Sequence, residues 1–143
     1  NCIKLDVEAS CWRDAIRKAA LPLLENNYIE KRYISAMIKN IEDNGPYIVV
    51  SKGFAIPHAS SEEGVLRPAM SLIKLKESVK FQAGNLDPIK YVACLSPVGN
   101  THLKAFFTLV NGLQNAKLKS MLFEANNLNA IIETLELMNG EEL

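Results

Sequence analysis

Residues 44–65 read NGPYIVVSKGFAIPHASSEEGV. Gly45 and Pro46 stop a preceding helix, glycine as a left-handed cap and proline as a residue that cannot continue. Tyr47–Ser51 is then a continuous apolar, β-branched run, the pattern of a short strand buried on both faces. Gly53 permits a sharp turn or the close approach of a partner. Pro57 fixes its own φ at about −65° and pushes Ile56 into an extended conformation, so His58 stands on a stiff stem. The polar loop ASSEEG (59–64) follows. Helix stop, strand, then a histidine where the strand gives out: the chain passes here from a helical region into a sheet.

Upstream, residues 10–27 (SCWRDAIRKAALPLLENN) place Trp12, Ala15, Ile16, Ala19, Ala20 and Leu23 on one stripe of helical period, with Ser10 as the expected N-cap. Pro22 should bend or shorten the last turn. Residues 30–45 (EKRYISAMIKNIEDNG) repeat the pattern with Tyr33, Ile34, Met37, Ile38 and Ile41. Downstream, AMSLIKLK (69–76) and IKYVACLS (89–96) read as strands, VKF (79–81) as a third, short one, and GNLDP (84–88) as a turn. NTHLKAFFTLVNGLQN (100–115) is helical, with Leu103, Phe106, Phe107, Val110 and Leu113 expected on one side. AKLKSMLFEA (116–125) and NLNAIIETLELM (127–138) add two more helices. Helices at both ends of a run of strands predict one α/β domain over residues 1–143, its sheet covered by helices.

A chain of 143 residues, 48% hydrophobic and 22% charged, suits one folded domain with a real core. Sixteen basic and sixteen acidic residues cancel. The neutral balance removes the electrostatic support that nucleic-acid or anionic-membrane binding requires. No apolar run approaches the ~20 residues of a membrane span, and NCIKLDVEAS has no secretory-signal order. Cys2, Cys11 and Cys94 form no C-x-x-C, so a disulfide framework or zinc ribbon is not expected and a reducing, cytoplasmic setting fits. Cys94 reads as a small core residue.

The chemistry gathers at two histidines. The hydroxyls of Ser60 and Ser61 and the backbone N–H groups of the loop after His58 can donate hydrogen bonds to an anion. His102 follows Asn100 and Thr101, either of which can cap a helix. It therefore lies in a first turn, where unpaired N–H groups and the helix dipole favour an anion. Both histidines follow predicted strand ends, the edge where open α/β sheets bind ligands, and are expected to share one pocket. No H-E-x-x-H and no G-x-S-x-G occur, which speaks against a zinc site or a serine hydrolase. Phe54 is open to two readings: an exposed apolar contact for a partner, or core by strand alternation.

These residues resemble a known family. NGPYIVVSKGFAIPHASSEEGV is similar to the active-site segment of enzyme IIA of the bacterial sugar phosphotransferase system (PTS), in the mannitol–fructose superfamily and closest to its ascorbate type. The family pattern is near GPYIVIAPGIALPHARPEEGV. NLDPIKYVACLS and GNTHLKAF match later family segments in the same order, and the likeness covers nearly the whole chain. The resemblance implies a central mixed β-sheet flanked by helices on both faces. It implies that His58 accepts a phosphoryl group from phospho-HPr and passes it to a cysteine of enzyme IIB, which serves the membrane permease enzyme IIC. It implies that His102 supports the phosphate, that no cofactor or metal is needed, and that the sugar is L-ascorbate or similar. The same domain also occurs in transcription regulators, where phosphorylation of the histidine is a signal; that is the alternative expectation.

Two departures from the pattern matter. The family's APG is SKG here, which puts Lys52 near the site in sequence, and Ser60 replaces an arginine usual two places after the histidine. Ser60, Ser61 and Thr101 are therefore expected to bind phosphate, with Lys52 or Arg67 making up the missing charge.

Overall fold

The computed structural model describes residues 2–141; of Thr101, His102 and Glu141 it describes the backbone alone. The chain packs as two compact units, residues 1–102 and 103–143.

The first unit opens with strand β1 (Ile3–Val7), which the hydrophobic pattern had not suggested. Helices α1 (Trp12–Glu25) and α2 (Lys31–Asn44) follow. Then come β2 (Val49–Ser51), β3 (Phe54–Ala55), β4 (Ala69–Val79) and β5 (Ile89–Ser96). The five strands form one mixed sheet in the order β1-β4-β5-β3-β2. β1 runs parallel to β4 and β3 parallel to β5, while β4–β5 and β2–β3 are antiparallel. The chain is thus α/β with a central mixed sheet, as expected. VKF is not a strand of its own: β4 runs through to Val79, with Val79 opposite Ile89.

α1 packs on β4 and β5, and α2 packs on α1. All six stripe residues of α1 are buried, against Ile73, Leu75, Val92 and Cys94 of the sheet. The sequence expectation for the start of this helix fails. Ser10 is not the cap: Cys11 holds that position, and its side chain makes no capping bond. Instead the Asp14 carboxylate reaches back and accepts the Ser10 N–H at 3.0 Å. Pro22 does not shorten the helix. Asn26 closes the last turn by donating its backbone N–H and its Nδ2 to the Pro22 carbonyl, at 3.2 and 2.7 Å. An interior proline costs about 3 kcal/mol. Ile16 and Leu23 alone, both fully buried, contribute about 1.5–3 kcal/mol each, so tertiary burial outweighs the local penalty.

On α2 the buried stripe narrows to Tyr33, Met37 and Ile41. Gly45 ends this helix with φ +85° and ψ −178°, a glycine conformation outside the left-handed helical region that was expected. β2 is shorter than Tyr47–Ser51 and forms the sheet's edge, so it is not buried on both faces; Val50 and Ser51 are half-exposed. Phe54 is core: fully buried, its ring lies stacked on Tyr91 with centroids 5.7 Å apart.

The second unit holds most of α3 (Thr101–Gln114), with α4 (Ala116–Glu124) and α5 (Leu128–Glu141). α4 and α5 pack together. The buried side of α3 is Leu109, Gly112 and Leu113; Leu103 and Phe107, expected on that side, are exposed. Gly112 marks a close approach to α5. A Cβ there would lie 2.5, 2.7 and 3.0 Å from Cγ, Sδ and Cβ of the buried Met138. Alanine would raise helix propensity by about 0.8–1 kcal/mol, but overpacking costs about 1–3 kcal/mol and Met138 has no open side to move to. Gly112→Ala should therefore destabilise by about 1–2 kcal/mol net in a thermal or urea melt. Shortening Met138 to Val should recover part of the loss in the double variant, and strict additivity would show that the two residues do not collide.

Candidate functional site

The His58 stem extends β3. The Ile56 N–H donates to the Ile48 carbonyl at 2.8 Å, and the Leu95 N–H donates to the Pro57 carbonyl at 3.1 Å. The strand is thus held on both sides up to the residue before His58. The imidazole then folds back along its own stem. Nδ1 lies 2.9 Å from the Ile56 carbonyl oxygen. A carbonyl only accepts, so Nδ1 carries a hydrogen, and in the neutral form of the ring the lone pair is then on Nε2. The Tyr47 ring meets the imidazole edge-on, with centroids 6.2 Å apart and planes at 85°.

His58 borders an open cleft of about 380 Å³. α2 contributes Asn40, the approach to β2 contributes Tyr47, the loop contributes His58, Ala59, Ser60 and Ser61, and the segment after β5 contributes Pro97 and Gly99. Size alone does not single this cleft out. A larger hollow of about 460 Å³ is lined by Glu8, Ser10, Asp14, Lys18, Lys76 and Glu77, but both its lysines pair with its carboxylates and its lining holds neither histidine nor cysteine. Chemistry identifies the His58 cleft.

Ser60 is exposed and precedes a single 3-10 turn, Ser61–Glu63. Both serines border the cleft, as expected. Thr101 and His102 open α3 two residues after Gly99. The chain that carries them therefore leaves the cleft's rim, while their side chains lie outside the described residues.

Lys52 is not at the site. It occupies the tip of the β2–β3 hairpin, where the neighbouring Gly53 bonds to Leu86, Lys90 and Tyr91 at the start of β5. His58 lies beyond the other end of β3, beside Leu95. The extended run from Phe54 to His58, about 13 Å, separates that turn from His58, because adjacency in sequence becomes distance along a strand. Arg67 is at the right end. Its carbonyl accepts the Ser96 hydroxyl at 2.8 Å, and only β5 lies between its strand and the His58 stem. Two strand spacings make that about 10 Å, and the Arg67 side chain is exposed.

Three residues at the site were not read as functional. Tyr47 and Asn40 border the cleft. Tyr33, beneath it, was seen only as part of an apolar stripe, yet its hydroxyl is the polar centre of the loop's attachment. It donates to the Leu95 carbonyl at 2.6 Å and accepts the Ala59 N–H at 2.9 Å. Asn40 falls one turn beyond Met37 on the stripe Tyr33–Met37, and a polar residue continuing an apolar stripe was the available signal. Cys94 is inert by comparison: fully buried beside Met37 Sδ, its thiol is pushed by burial up to about 12.

The arrangement is an imidazole on a rigid stem, beside hydroxyls, with α3 starting two residues along the chain from Gly99. An imidazole so placed can take up and release a charged group. The family model described as "Phosphoenolpyruvate-dependent sugar phosphotransferase system, EIIA 2" matches residues 1–138 and runs across both units. The ascorbate-specific PTS system EIIA component of Salmonella choleraesuis (strain SC-B67) is 35% identical over 103 residues, 71% of this chain and 67% of that protein. The chain thus spans about two thirds of that relative's length. The mannitol-specific cryptic phosphotransferase enzyme IIA CmtB from Escherichia coli is 32% identical, with a TM-score of 0.83 over 94% of this chain and 91% of that one. The E. coli mannitol enzyme IIA, solved in complex with phosphorylated enzyme IIB, shares the fold with a TM-score of 0.80 at 23% identity, over 94% of both chains. No described helix is long and apolar enough to cross a membrane. The chain belongs to the EIIA 2 family of the phosphoenolpyruvate-dependent sugar phosphotransferase system, phosphotransferase components that work through a phosphohistidine intermediate.

Proposed function

We propose that His58 is the phosphoryl acceptor and that residues 1–143 act as one cytoplasmic enzyme IIA domain between phospho-HPr and an enzyme IIB. The observation that carries this reading is the 2.9 Å contact from Nδ1 to the Ile56 carbonyl. It holds the neutral imidazole with its lone pair on Nε2, the nucleophilic form. Nε2 attacks the phosphorus of the donor's phosphohistidine; a new N–P bond forms, the donor's N–P bond breaks, and the donor imidazole takes back its electron pair. His58 keeps its Nδ1 hydrogen, so the phosphorylated ring is cationic, and the Ile56 carbonyl dipole stabilises it. In the onward step a thiolate of enzyme IIB attacks the same phosphorus, and Nε2 recovers its pair.

The phosphoryl oxygens need donors. Ser60 and Ser61 border the cleft; we assign Thr101 and His102, at the start of α3, to the same task, where helix N–H groups favour an anion. Arg67 stands in for the family's arginine as the charged donor, in place of Lys52. Tyr47, half exposed beside His58, offers apolar surface for brief docking. The E. coli mannitol enzyme IIA, which shares this fold, is solved with phosphorylated enzyme IIB, and that supports enzyme IIB as the acceptor here. Enzyme IIC is then reached indirectly. The name of the Salmonella relative supports ascorbate as the sugar.

Phosphoenolpyruvate, enzyme I and HPr should label the chain in acid-labile form, and an ascorbate-type enzyme IIB should drain the label faster than a mannitol-type one. A chain that takes no label overturns the proposal; faster drainage to the mannitol type overturns the sugar. In the same assay His102→Ala should still accept phosphate but deliver it about 10–100-fold more slowly, as expected for losing one donor to transferred charge. Arg67→Ala should slow transfer about tenfold, the low end for a charge-assisted hydrogen bond of ~1.5–3 kcal/mol, and more at low salt than at high. Wild-type rates in either variant would return that residue to the ordinary surface.

A further inference from the structure

Hydrogen bonds close a short circuit around His58. The residue before it, Pro57, accepts the Leu95 N–H at 3.1 Å. The residue after it, Ala59, donates its N–H to the Tyr33 hydroxyl at 2.9 Å. Tyr33 in turn donates that hydroxyl to the Leu95 carbonyl at 2.6 Å. Both neighbours of His58 are therefore fastened to one residue of β5, directly on one side and through a phenol on the other. The phenol comes from α2, an element that contributes nothing else to the stem. Tyr33, Ala59 and Leu95 are all buried, so the hydroxyl is enclosed by the groups it joins.

We infer that Tyr33 is a positioning residue for phosphoryl transfer, its hydroxyl serving to fix the backbone on either side of His58 so that the imidazole keeps one place and one tautomer. This rests on the reading of His58 as the phosphoryl acceptor. The bond from Nδ1 to the Ile56 carbonyl spans only two residues, so its geometry depends on the backbone from Ile56 to Ala59. Pro57 stiffens the first half of that segment through its ring. Ala59 has no such constraint, and the phenol supplies it. Burial also pushes the Tyr33 phenol well above its ordinary range, which keeps it a donor at every working pH.

Phosphoryl transfer is chiefly positioning, and a shift of about 1 Å can slow a reaction about 100-fold. Tyr33→Phe keeps the ring and removes the two bonds. The Ala59 N–H then lacks its partner in a buried place, and the loop relieves this by opening to water.

Two readouts test this in the intact chain. Labelling of Tyr33→Phe by phospho-HPr should be about 10–100-fold slower than that of the wild type. Its His58 ring nitrogens, read by 15N NMR in the unphosphorylated protein, should move from distinct Nδ1–H values toward averaged ones as the tautomers mix. Ile16→Val, in the core under α1, is the stability control and should change neither readout. The proposal is overturned if either readout of Tyr33→Phe stays at its wild-type value, or if Ile16→Val moves both. Should Tyr33→Phe fail to fold, the wild type still decides. Its Ala59 amide should exchange with solvent as slowly as the β5 amides, and loop-like exchange overturns the clamp. A wild type that takes no label sinks the acceptor reading instead, and leaves the ring shifts and the Ala59 exchange to judge the clamp by themselves.

Discussion

His58→Ala should take no phosphate from phospho-HPr. On the proposed reading the substitution removes the nucleophile, and among the described side chains at the cleft none replaces it. Ser60 and Ser61 are hydroxyls without a base once the imidazole is gone, and Cys94 is buried with its thiol pushed up to about 12. The loss should be complete within detection, well beyond the effects of about 10–100-fold expected for donor residues. The fold should survive. The side chain is half-buried, and the bond to its own stem that is lost is a contribution of about 0.5–1.5 kcal/mol. At this chain length that lowers the melting temperature by only ~2–5 °C. His58→Gln is the sharper control, since an amide can keep a bond to the Ile56 carbonyl but cannot carry the phosphoryl group; it should be equally dead. Acid-labile label measured beside a thermal melt separates loss of chemistry from loss of fold. Label retained by a folded His58→Ala would move the acceptor to His102 and overturn the assignment.

What the sequence disclosed follows from what each signal measures. The stripes of α1 and α2 were readable because one face of each helix meets one surface, and the runs in β4 and β5 because both strands lie inside the sheet. β1 was not readable. IKLDV alternates half-buried and exposed positions at a sheet edge, and five residues with two charges look like a polar terminus. β3 is two residues long, too short for any period. The strand order is a matter of long-range pairing and leaves no local trace. On α3 the apolar residues outnumber those one face can bury, so counting them could not fix which side turns inward; the small Gly112 marked it.

The site shows the same division. His58, Ser60 and Ser61 are neighbours in sequence and stay neighbours in space, because the loop after a strand is short. Lys52 is only six residues from His58, but a strand intervenes and carries it to the far end. Arg67 is nine residues from His58 and returns to the near end because β4 pairs antiparallel with β5. Tyr33 could not be recognised at all. Its ring belongs to the apolar stripe, and the function lies in one oxygen atom whose partners, Ala59 and Leu95, are 26 and 62 residues away.

Gly64→Ala should lower the melting temperature by about 6–12 °C. Gly64 ends the 3-10 turn after the serines with φ +123°, a conformation side chains rarely adopt. A Cβ there would lie 3.1 Å from Arg32 Cγ, 3.2 Å from the Tyr33 nitrogen and 3.3 Å from Tyr33 Cβ. The arginine carbon can move; the other two belong to the first turn of α2 and cannot. Backbone strain of this kind costs about 1–3 kcal/mol and overpacking about 1–3 kcal/mol, against a gain of about 0.4–1 kcal/mol from the stiffer unfolded chain. The balance is ~2–4 kcal/mol, and at this chain length ~3 °C per kcal/mol converts it to the stated fall. Gly84→Ala separates the two causes. Gly84 also has positive φ, +57°, but a Cβ there meets nothing within 4 Å, so it should show about 1–2 kcal/mol of backbone strain alone. The excess at Gly64 measures how tightly the loop is pressed on α2, where the Gly64 carbonyl also accepts the Glu30 N–H at 2.8 Å. The alanine methyl has to push the loop outward, on the same turn of α2 that carries Tyr33. Phosphoryl transfer should therefore fall in Gly64→Ala, by about tenfold for a displacement of a few tenths of an ångström, and remain at the wild-type rate in Gly84→Ala. Equal melting temperatures for the two variants would mean that close packing of the loop on α2 is not what holds the His58 segment in place.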